Sequence, residues 1–432
     1  LMTATGSLQS LVKGIAKWAK TVRKGQFTAW LMGLVIFFDD YANTLLVGNS
    51  MRPFTDSLKI SREKLAYIVD STAAPVASIV PISTWIGYEV GLLGAALAAI
   101  DVGSDPYGVF LQSIPYRFYG LLAVVFVLLV ALFNRDFSHM YLAETRARQT
   151  GKVLAEKAKP LVETESFVQF PRREATAFEA LLPILLVVLV IVFGLYLSGL
   201  KALKLEGSTV AEQPTLREII GKADSFQVLM WAAFAGSFAA FALSLRSLSV
   251  SEAMDEYLKG IKAMVPAMVI LVLAWSLGTV CEKLQTGKFC IGIATGRIPA
   301  SLLPALVFLL AAFVSFATGT SWATMGILVP IVIPLSWRLT ENLHFSEAIR
   351  LASIGAVLSG ATFGDHCSPI SDTTIMSSMG SGCDHIDHVR TQIPYAFTVA
   401  AISTLLGYLP AGFGFSPFLY YSSKLPPLSC RS

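Results

Sequence analysis

Long uncharged apolar segments recur along this chain, and they constrain its fold more than any other feature. A bilayer core is about 30 Å thick, so a helix needs roughly 20 apolar residues to cross it. Five predominantly apolar segments meet or approach this length: residues 117–133, 178–200, 225–245, 263–280 and 395–415. Because a soluble core does not require so many helices without a polar face, the pattern predicts membrane-spanning helices.

Charge is scarce and unevenly placed. Charged residues make up 14% of the chain and lie mostly between the apolar segments, whereas a soluble domain has roughly a quarter. The net charge of +4 is too small to indicate nucleic-acid binding, and the five cysteines lack CxxC spacing. We therefore expect an all-α protein, a polytopic transmembrane helical bundle in a lipid bilayer, without a cofactor.

The alternation of polar and apolar stretches divides the chain into five parts. They are a basic N-terminal segment (1–25), a first transmembrane portion (26–134), a polar connector (135–177), the remaining transmembrane helices (178–415) and a C-terminal tail (416–432). Lys and Arg residues favour a cytoplasmic position for the first and third parts. Because the chain opens with Leu1 and Met2, we expect it to lack earlier helices. Residues 249–262 fit either an amphipathic helix along the membrane surface or a plain loop.

Three apolar regions are interrupted by acidic residues and helix breakers. The first contains Asp39 and Asp40, the second contains Asp70 and Pro75, and the third (301–379) ends in a polar stretch. An aspartate at membrane depth is costly, so it persists mainly where it pairs, faces a cavity or binds an ion. Interrupted segments at matching places in two halves of a chain are typical of transporter repeats. We therefore expect broken helices and inverted-topology repeats.

The stretch GDHCSPISDTT, at residues 364–374, is the richest in candidate ion ligands. Its helix breakers are Gly364 and Pro369, and its candidate ligands are Asp365, Ser368, Asp372 and Thr373. The carboxylates lie on both sides of the proline, and the hydroxyls add neutral oxygens. From the residues alone, two interpretations stay open: a break between half-helices inside the membrane, or a polar loop at its surface.

A buried carboxylate beside an unwound backbone can exchange two kinds of cation. Carbonyls freed near Pro75 or Pro369 need partners, because lipid offers none, and a sodium ion among hydroxyl oxygens can be that partner. A carboxylate holds a proton or a metal cation but rarely both, so sodium expels the proton. The pattern predicts exchange by alternating access to a site near the membrane midplane.

Other polar groups allow more than one interpretation. Asp39 and Asp40 are adjacent, so on a helix they point about 100° apart, and we favour Asp39 for the site. Glu89 follows aromatic residues and fits a membrane-interface acid as well as an ion relay. The stretch CDHIDH at 383–388 has metal-ligand residue types. These are compressed into six residues directly after Gly380 and Gly382, which suggest a turn, so we expect no transition-metal site.

Two long motifs in the second half resemble the NhaC-type sodium/proton antiporter family. They are FGDHCSPISDTTIMSS (363–378) and GCDHIDHVRTQIPYA (382–396). Three earlier stretches are also similar to that family: FDDYANTLLVGNSMRPFTD (38–56), VDSTAAPVASIVPISTWIGYE (69–89) and TGTSWATMGILVPI (318–331). The likeness extends from about residue 26 to residue 415.

The resemblance implies a multi-pass antiporter of the bacterial inner membrane, with sodium ions and protons as its partners and a homo-oligomer as a further expectation. It implies that Asp365 and Asp372 bind the ions. The neighbours it implies are Asp39, Asn43, Asp70, Thr320 and Ser321. The family also includes members that couple sodium or proton movement to organic acid exchange.

Several functions remain open at this point. Sodium/proton exchange is the first, and sodium- or proton-coupled exchange of organic acids such as malate and lactate is the alternative. An organic acid needs a cationic or dipolar anchor, and basic candidates such as Arg52 and Arg297 are few, which favours bare cations. A membrane enzyme using Asp365, His366 and Cys367 and a passive channel are two further classes, and coupled ion flux would exclude both.

Overall fold

The computed structural model describes residues 1–2, 4–7, 10, 20–160, 176–205, 219, 223–284, 298–341, 343 and 345–415. Every regular element within these residues is a helix. The prediction of an all-α protein is therefore confirmed.

The helices up to residue 150 are short to medium in length. They are α1 (Val22–Val35), α2 (Asp40–Ser57), α3 (Arg62–Ser71), α4 (Ala74–Ile79), α5 (Ile86–Ala98), α6 (Pro106–Ser113), α7 (Phe118–Phe133) and α8 (Ser138–Thr150). The later helices include the longest. They are α9 (Ala177–Leu205), α10 (Ser225–Ser244), α11 (Val250–Lys283), α12 (Leu303–Thr318), α13 (Ser321–Leu339), α14 (Ser346–Cys367), α15 (Asp372–Ser381), α16 (His385–Ile402) and α17 (Leu409–Gly412).

Six helical segments among the described residues are long and apolar enough to cross a bilayer. They are Phe118–Thr150, Ala177–Lys204, Gln227–Ser244, Ala300–Thr318, Ser321–Leu339 and His385–Gly412. Four of them overlap spans predicted from the sequence, and the fifth prediction, 263–280, lies inside α11. Large apolar side chains such as Phe193, Phe238 and Phe313 are exposed on these helices, as lipid-facing surfaces require. The chain is a multi-pass membrane protein.

The described helices form two compact units. Helices α9, α10 and the first part of α11 belong to the smaller unit, in which α9 packs along α10. This packing needs a glycine at Gly236, because a Cβ there would lie 2.3 Å from Val187 Cγ2. Since residues 250–262 belong to α11, that stretch is helical rather than a plain loop, and its position along the membrane surface stays a prediction. Most of the other helices form the larger unit.

Two helices of the larger unit are interrupted. Thr72 and Ala73 separate α3 from α4, and Pro75 lies in the first turn of α4. Residues 368–371, which include Pro369, separate α14 from α15. Proline lacks an N–H group and disfavours helical geometry in the residue before it, which explains both positions. The prediction of broken helices is confirmed, while the inverted relation between the two repeats stays a prediction.

The described part of the connector packs against the start of α3. The Glu144 carboxylate, on α8, accepts hydrogen bonds from the main chain and the hydroxyl of Ser61, both at 2.8 Å. Arg146 Nη2 lies 2.9 Å from the Glu63 carboxylate. Residues 11–19 of the predicted N-terminal segment, 161–175 of the connector and the tail 416–432 lie outside the described residues, and the five-part division stays a prediction.

Candidate functional site

Asp365 lies in the last turn of α14, where its side chain is buried with 2% of its surface exposed. Its Oδ1 accepts a hydrogen bond from Ser371 Oγ at 2.6 Å, and its Oδ2 accepts one from Ser321 Oγ at 2.9 Å. Thr373 Oγ1 lies 3.0 Å from Ser371 Oγ. The carboxylate therefore accepts hydrogen bonds from hydroxyls at the start of α13 and in the break, and a hydroxyl at the start of α15 contacts the second of these.

A tight turn between α12 and α13 brings Ser321 to the carboxylate. Gly319 ends α12 with φ of +69°, in the left-handed region that glycine adopts readily, and a Cβ there would lie 2.7 Å from Ile370 Cγ1. Thr320 follows as the N-cap of α13, where its hydroxyl accepts a hydrogen bond from the Ala323 N–H at 3.4 Å. The position of Thr320 thus orients its neighbour Ser321 towards Asp365.

No basic side chain in the described part of the chain forms an ion pair with Asp365, and the buried Lys64 and Arg117 pair with other acids. An ionised carboxylate in a low-dielectric interior is costly unless a charge compensates it. This carboxylate can meet that cost by taking up a proton or a cation. The surrounding hydroxyl oxygens are suitable neutral ligands for a small hard cation.

Asp372 occupies a more open position at the first residue of α15. Its Oδ2 accepts a hydrogen bond from the Tyr41 hydroxyl, and its Oδ1 accepts one from the Thr373 N–H at 2.8 Å. A carboxylate in the first turn is favoured by the helix dipole. Asp372 is exposed, unlike Asp365, although the two carboxylates interact electrostatically.

The adjacent acids Asp39 and Asp40 have different environments. Asp39 is the N-cap of α2, and its Oδ1 accepts a hydrogen bond from the Ala42 N–H at 2.6 Å. Asp40 is buried, and its Oδ2 accepts one from the Trp85 indole N–H at 3.1 Å. Asp40 also interacts electrostatically with Asp365 and Asp372. The sequence favours Asp39 for the site, whereas the structure gives that residue a capping role and makes Asp40 the more deeply buried carboxylate.

Asp70 belongs to a second buried cluster. Its Oδ2 accepts a hydrogen bond from Gln392 Nε2 at 2.7 Å and lies 3.2 Å from His388 Nε2. The same Gln392 amide donates to the main-chain oxygen of His366, the residue after Asp365. Gln392 therefore links the two clusters.

The sequence reasoning missed both His388 and Gln392 as neighbours of Asp70. Their spacing of four residues on α16 puts them on one helix face, and this is the signal that could have identified them. His366 extends the same cluster, since its ring nitrogens lie 3.0 Å from Ser71 Oγ and 2.7 Å from the Tyr119 hydroxyl.

Asn43 joins neighbouring helices in the larger unit. Its Nδ2 donates to the main-chain oxygens of Gly33, Ile36 and Thr72, at 2.7, 3.1 and 2.9 Å. These contacts tie the end of α1 to the break after α3. A Cβ on Gly33 would lie 2.0 Å from Thr72 Oγ1, so this close approach requires glycine.

Ser368 and Gly364 hold α14 against α12. The Ser368 hydroxyl donates to the main-chain oxygen of Phe316 at 2.9 Å. Gly364 lies inside α14, where a Cβ would lie 2.4 Å from the Phe316 nitrogen. The structure therefore starts the break at Ser368 and gives Gly364 a packing position one turn earlier.

The side chains of CDHIDH have separate partners. Asp384 is the N-cap of α16, and its Oδ1 accepts from the main chain of Ile386 at 2.9 Å. His385 Nε2 lies 2.7 Å from the Pro369 oxygen. His388 instead contacts Asp70, as described above. His385 thus contacts the break and His388 the second cluster, while Asp384 caps α16.

Among the described residues of the larger unit, the side chains of Lys64, Arg117 and Arg350 are buried. Arg117 lies 2.8 Å from Glu89, which is therefore a buried ion-pair partner. Lys64 forms an ion pair with Asp136. Arg350 Nε donates to the Thr340 hydroxyl at 2.9 Å. All three are already engaged by protein groups.

A bundle of membrane-spanning helices with a buried carboxylate beside a helix break defines a secondary transporter. The chain belongs to the Na+/H+ antiporter family, which it matches over residues 76–413. The resemblance to NhaC-type antiporters is confirmed, and the chain is a transporter rather than a membrane enzyme.

Three curated relatives are similar to most or part of this chain. The chain is 35% identical over 427 residues to an uncharacterised protein of Haemophilus influenzae, covering 96% of this chain and 76% of that protein. It is 32% identical over 197 residues to the malate-2H(+)/Na(+)-lactate antiporter of Bacillus subtilis, covering 42% of this chain and 38% of the relative. It is 30% identical over 178 residues to an uncharacterised Na(+)/H(+) antiporter of Haemophilus influenzae, covering 40% and 36%.

A solved transporter structure has a similar fold. The YdaH transporter of Alcanivorax borkumensis matches with a TM-score of 0.57 and 15% identity, covering 96% of this chain and 84% of that one. At this identity the likeness supports the fold alone.

Proposed function

We propose that this protein exchanges sodium ions for protons across a bacterial inner membrane and that both bind at Asp365. The observation behind the proposal is the buried Asp365 carboxylate, which has hydroxyl partners at 2.6 and 2.9 Å. Because it lacks an ion-pair partner among the described residues, its charge must be compensated by what it binds. Sodium and a proton compete for the same oxygens, and that competition couples their movements.

The sodium-loaded site would use oxygens already gathered by the break. These are the Asp365 carboxylate and the hydroxyls of Ser321, Ser371 and Thr373. Protonation of Asp365 removes the charge that holds sodium, so the ion leaves. Rocking or gating around the broken helices then exposes the site to the other side of the membrane.

The remaining acids have supporting roles in this proposal. Asp372 is exposed and Asp40 is buried nearby, so their negative charges raise the local cation concentration. Thr320, Asp39, Asn43 and Ser368 position the backbone through the capping and linking hydrogen bonds described above.

Organic acid exchange is the second candidate. The relative from Bacillus subtilis, whose name describes malate and lactate antiport, favours it. An organic anion would need a positive anchor, but Arg117, Lys64 and Arg350 already have protein partners in the described structure. Bare cation exchange therefore fits the described side chains better.

Proteoliposomes with a trapped pH dye separate the two candidates. The purified protein should acidify or alkalinise the lumen when a sodium gradient alone is imposed, and an equal potassium gradient controls for osmotic and potential effects. A dye response that requires malate or lactate would replace sodium/proton exchange with organic acid exchange.

A further inference from the structure

Three buried side-chain oxygens near the end of α3 accept no hydrogen bond from the described protein. They are Asp70 Oδ1, Asn43 Oδ1 and Gln392 Oε1. At most 1% of the surface of each residue is exposed. Leaving a buried acceptor unpaired costs about 1–3 kcal/mol per group, more for a charged one. Such a group indicates that something else completes the site.

The hydrogen-bond network fixes the orientation of both amides. Asn43 Nδ2 faces three main-chain oxygens, and Gln392 Nε2 faces Asp70 Oδ2 and the His366 oxygen. Each amide must present its NH₂ group to these acceptors, since oxygen there would face oxygen. The free atoms of both residues are therefore oxygens.

These residues are joined around one helix end. Gln392 donates to Asp70, and Asn43 donates to the main-chain oxygen of Thr72, two residues after Asp70. Their helices, α2, α3 and α16, are connected through α15, which packs against all three. Helix α15 also has two buried hydroxyls without a partner, Ser377 and Ser381.

The unpaired set suits a metal cation better than a proton. One proton on Asp70 Oδ1 could be donated to one acceptor, which would leave another amide oxygen unpaired. A monovalent cation contacts several oxygens at once and also compensates the carboxylate charge. Asp70 interacts electrostatically with His388, His366, Tyr119, Cys367 and Asp365. Since Asp70 Oδ2 already contacts His388 and Gln392, Oδ1 is the carboxylate oxygen left for a cation.

We propose that Asp70, Asn43 and Gln392 form a second sodium-binding position, separate from Asp365. It rests on the proposed sodium exchange and deepens it, because each chain would then hold two sodium ions. Gln392 would couple the positions, since its amide bonds both Asp70 and the residue after Asp365.

Equilibrium binding of radioactive sodium to the full chain in lipid nanodiscs tests the proposal. The wild type should bind two sodium ions per chain, and Asp70→Asn and Asp365→Asn should each bind one. Gln392→Met keeps the side-chain length but removes both the amide oxygen and the NH₂ group that bonds Asp70, so it should weaken sodium binding at the Asp70 position about tenfold. Gln392→Met replaces Asp70→Asn as the test if Asp70→Asn fails to fold. Asp384→Asn is the control for the loss of a carboxylate charge and should bind two sodium ions.

The second position is overturned if the wild type binds one sodium ion per chain and this binding is lost in Asp365→Asn but unchanged in Asp70→Asn and Gln392→Met. That result would leave sodium/proton exchange at Asp365 intact. Failure of the exchange proposal looks different, because Asp365→Asn would then bind and transport sodium like the wild type.

Discussion

Replacing Ser371 with alanine removes one hydroxyl from the proposed sodium site and little else. Its Oγ lies 2.6 Å from Asp365 Oδ1 and 3.0 Å from Thr373 Oγ1. Ser371 is the N-cap of α15, but its side chain makes no capping hydrogen bond, so the helix start should survive. A hydrogen bond to a charged group contributes about 1.5–3 kcal/mol. We expect the sodium KM to rise about 10- to 100-fold.

Sodium-dependent dye response in proteoliposomes, measured over a range of sodium concentrations, checks this prediction. Ser353→Ala is the matched control, because the buried Ser353 hydroxyl bonds only to the Ile349 oxygen of its own helix among the described contacts. Ser321→Ala should resemble Ser371→Ala, since its hydroxyl contacts the other carboxylate oxygen. If both site variants keep the sodium KM of Ser353→Ala, these hydroxyls do not bind the ion.

Three other variants test the rest of the structure. Glu89→Gln should lower the free energy of unfolding by about 3–5 kcal/mol, because it leaves the charge of Arg117 buried without its ion-pair partner. Thermal unfolding in detergent should show that stability is partly recovered in the double variant with Arg117→Met. No loss of stability in the single variant would contradict the ion pair. Gly364→Val should reduce the yield of monodisperse protein, since even a Cβ would lie 2.4 Å from the α12 backbone, and a normal yield would argue against this packing. Asp372→Asn should raise the sodium KM and spare the maximal rate, because Asp372 is exposed outside the hydroxyl cluster; a lost maximal rate would place it at the exchange step.

The membrane fold could be predicted from the sequence because apolar length is a local property. The same holds for the breaks, since Pro75 and Pro369 restrict the backbone wherever they occur. The pairing of Asp365 with Ser321 could not be derived locally, because it depends on how α12 and α13 pack against α14. The family resemblance indicated both residues without giving the contact.

The choice between Asp39 and Asp40 shows where sequence reasoning reaches its limit. Adjacent residues on a helix differ by about 100° in direction, but the sequence does not say which direction faces the interior. In the structure the helix starts at Asp40, so Asp39 becomes the N-cap and Asp40 meets Trp85. The burial of Arg117 also could not be predicted locally, because its ion-pair partner Glu89 is distant in sequence.

The central claim is that Asp365 exchanges sodium for a proton, and comparing Asp365→Asn with the wild type tests it most directly. Both should be reconstituted at equal density and given the same sodium gradient with a trapped pH dye. Asp384→Asn is the control, because it removes a carboxylate charge from a helix cap of the same unit. We predict sodium-driven proton movement in the wild type and in Asp384→Asn, and none in Asp365→Asn. Equal movement in all three would contradict exchange at Asp365.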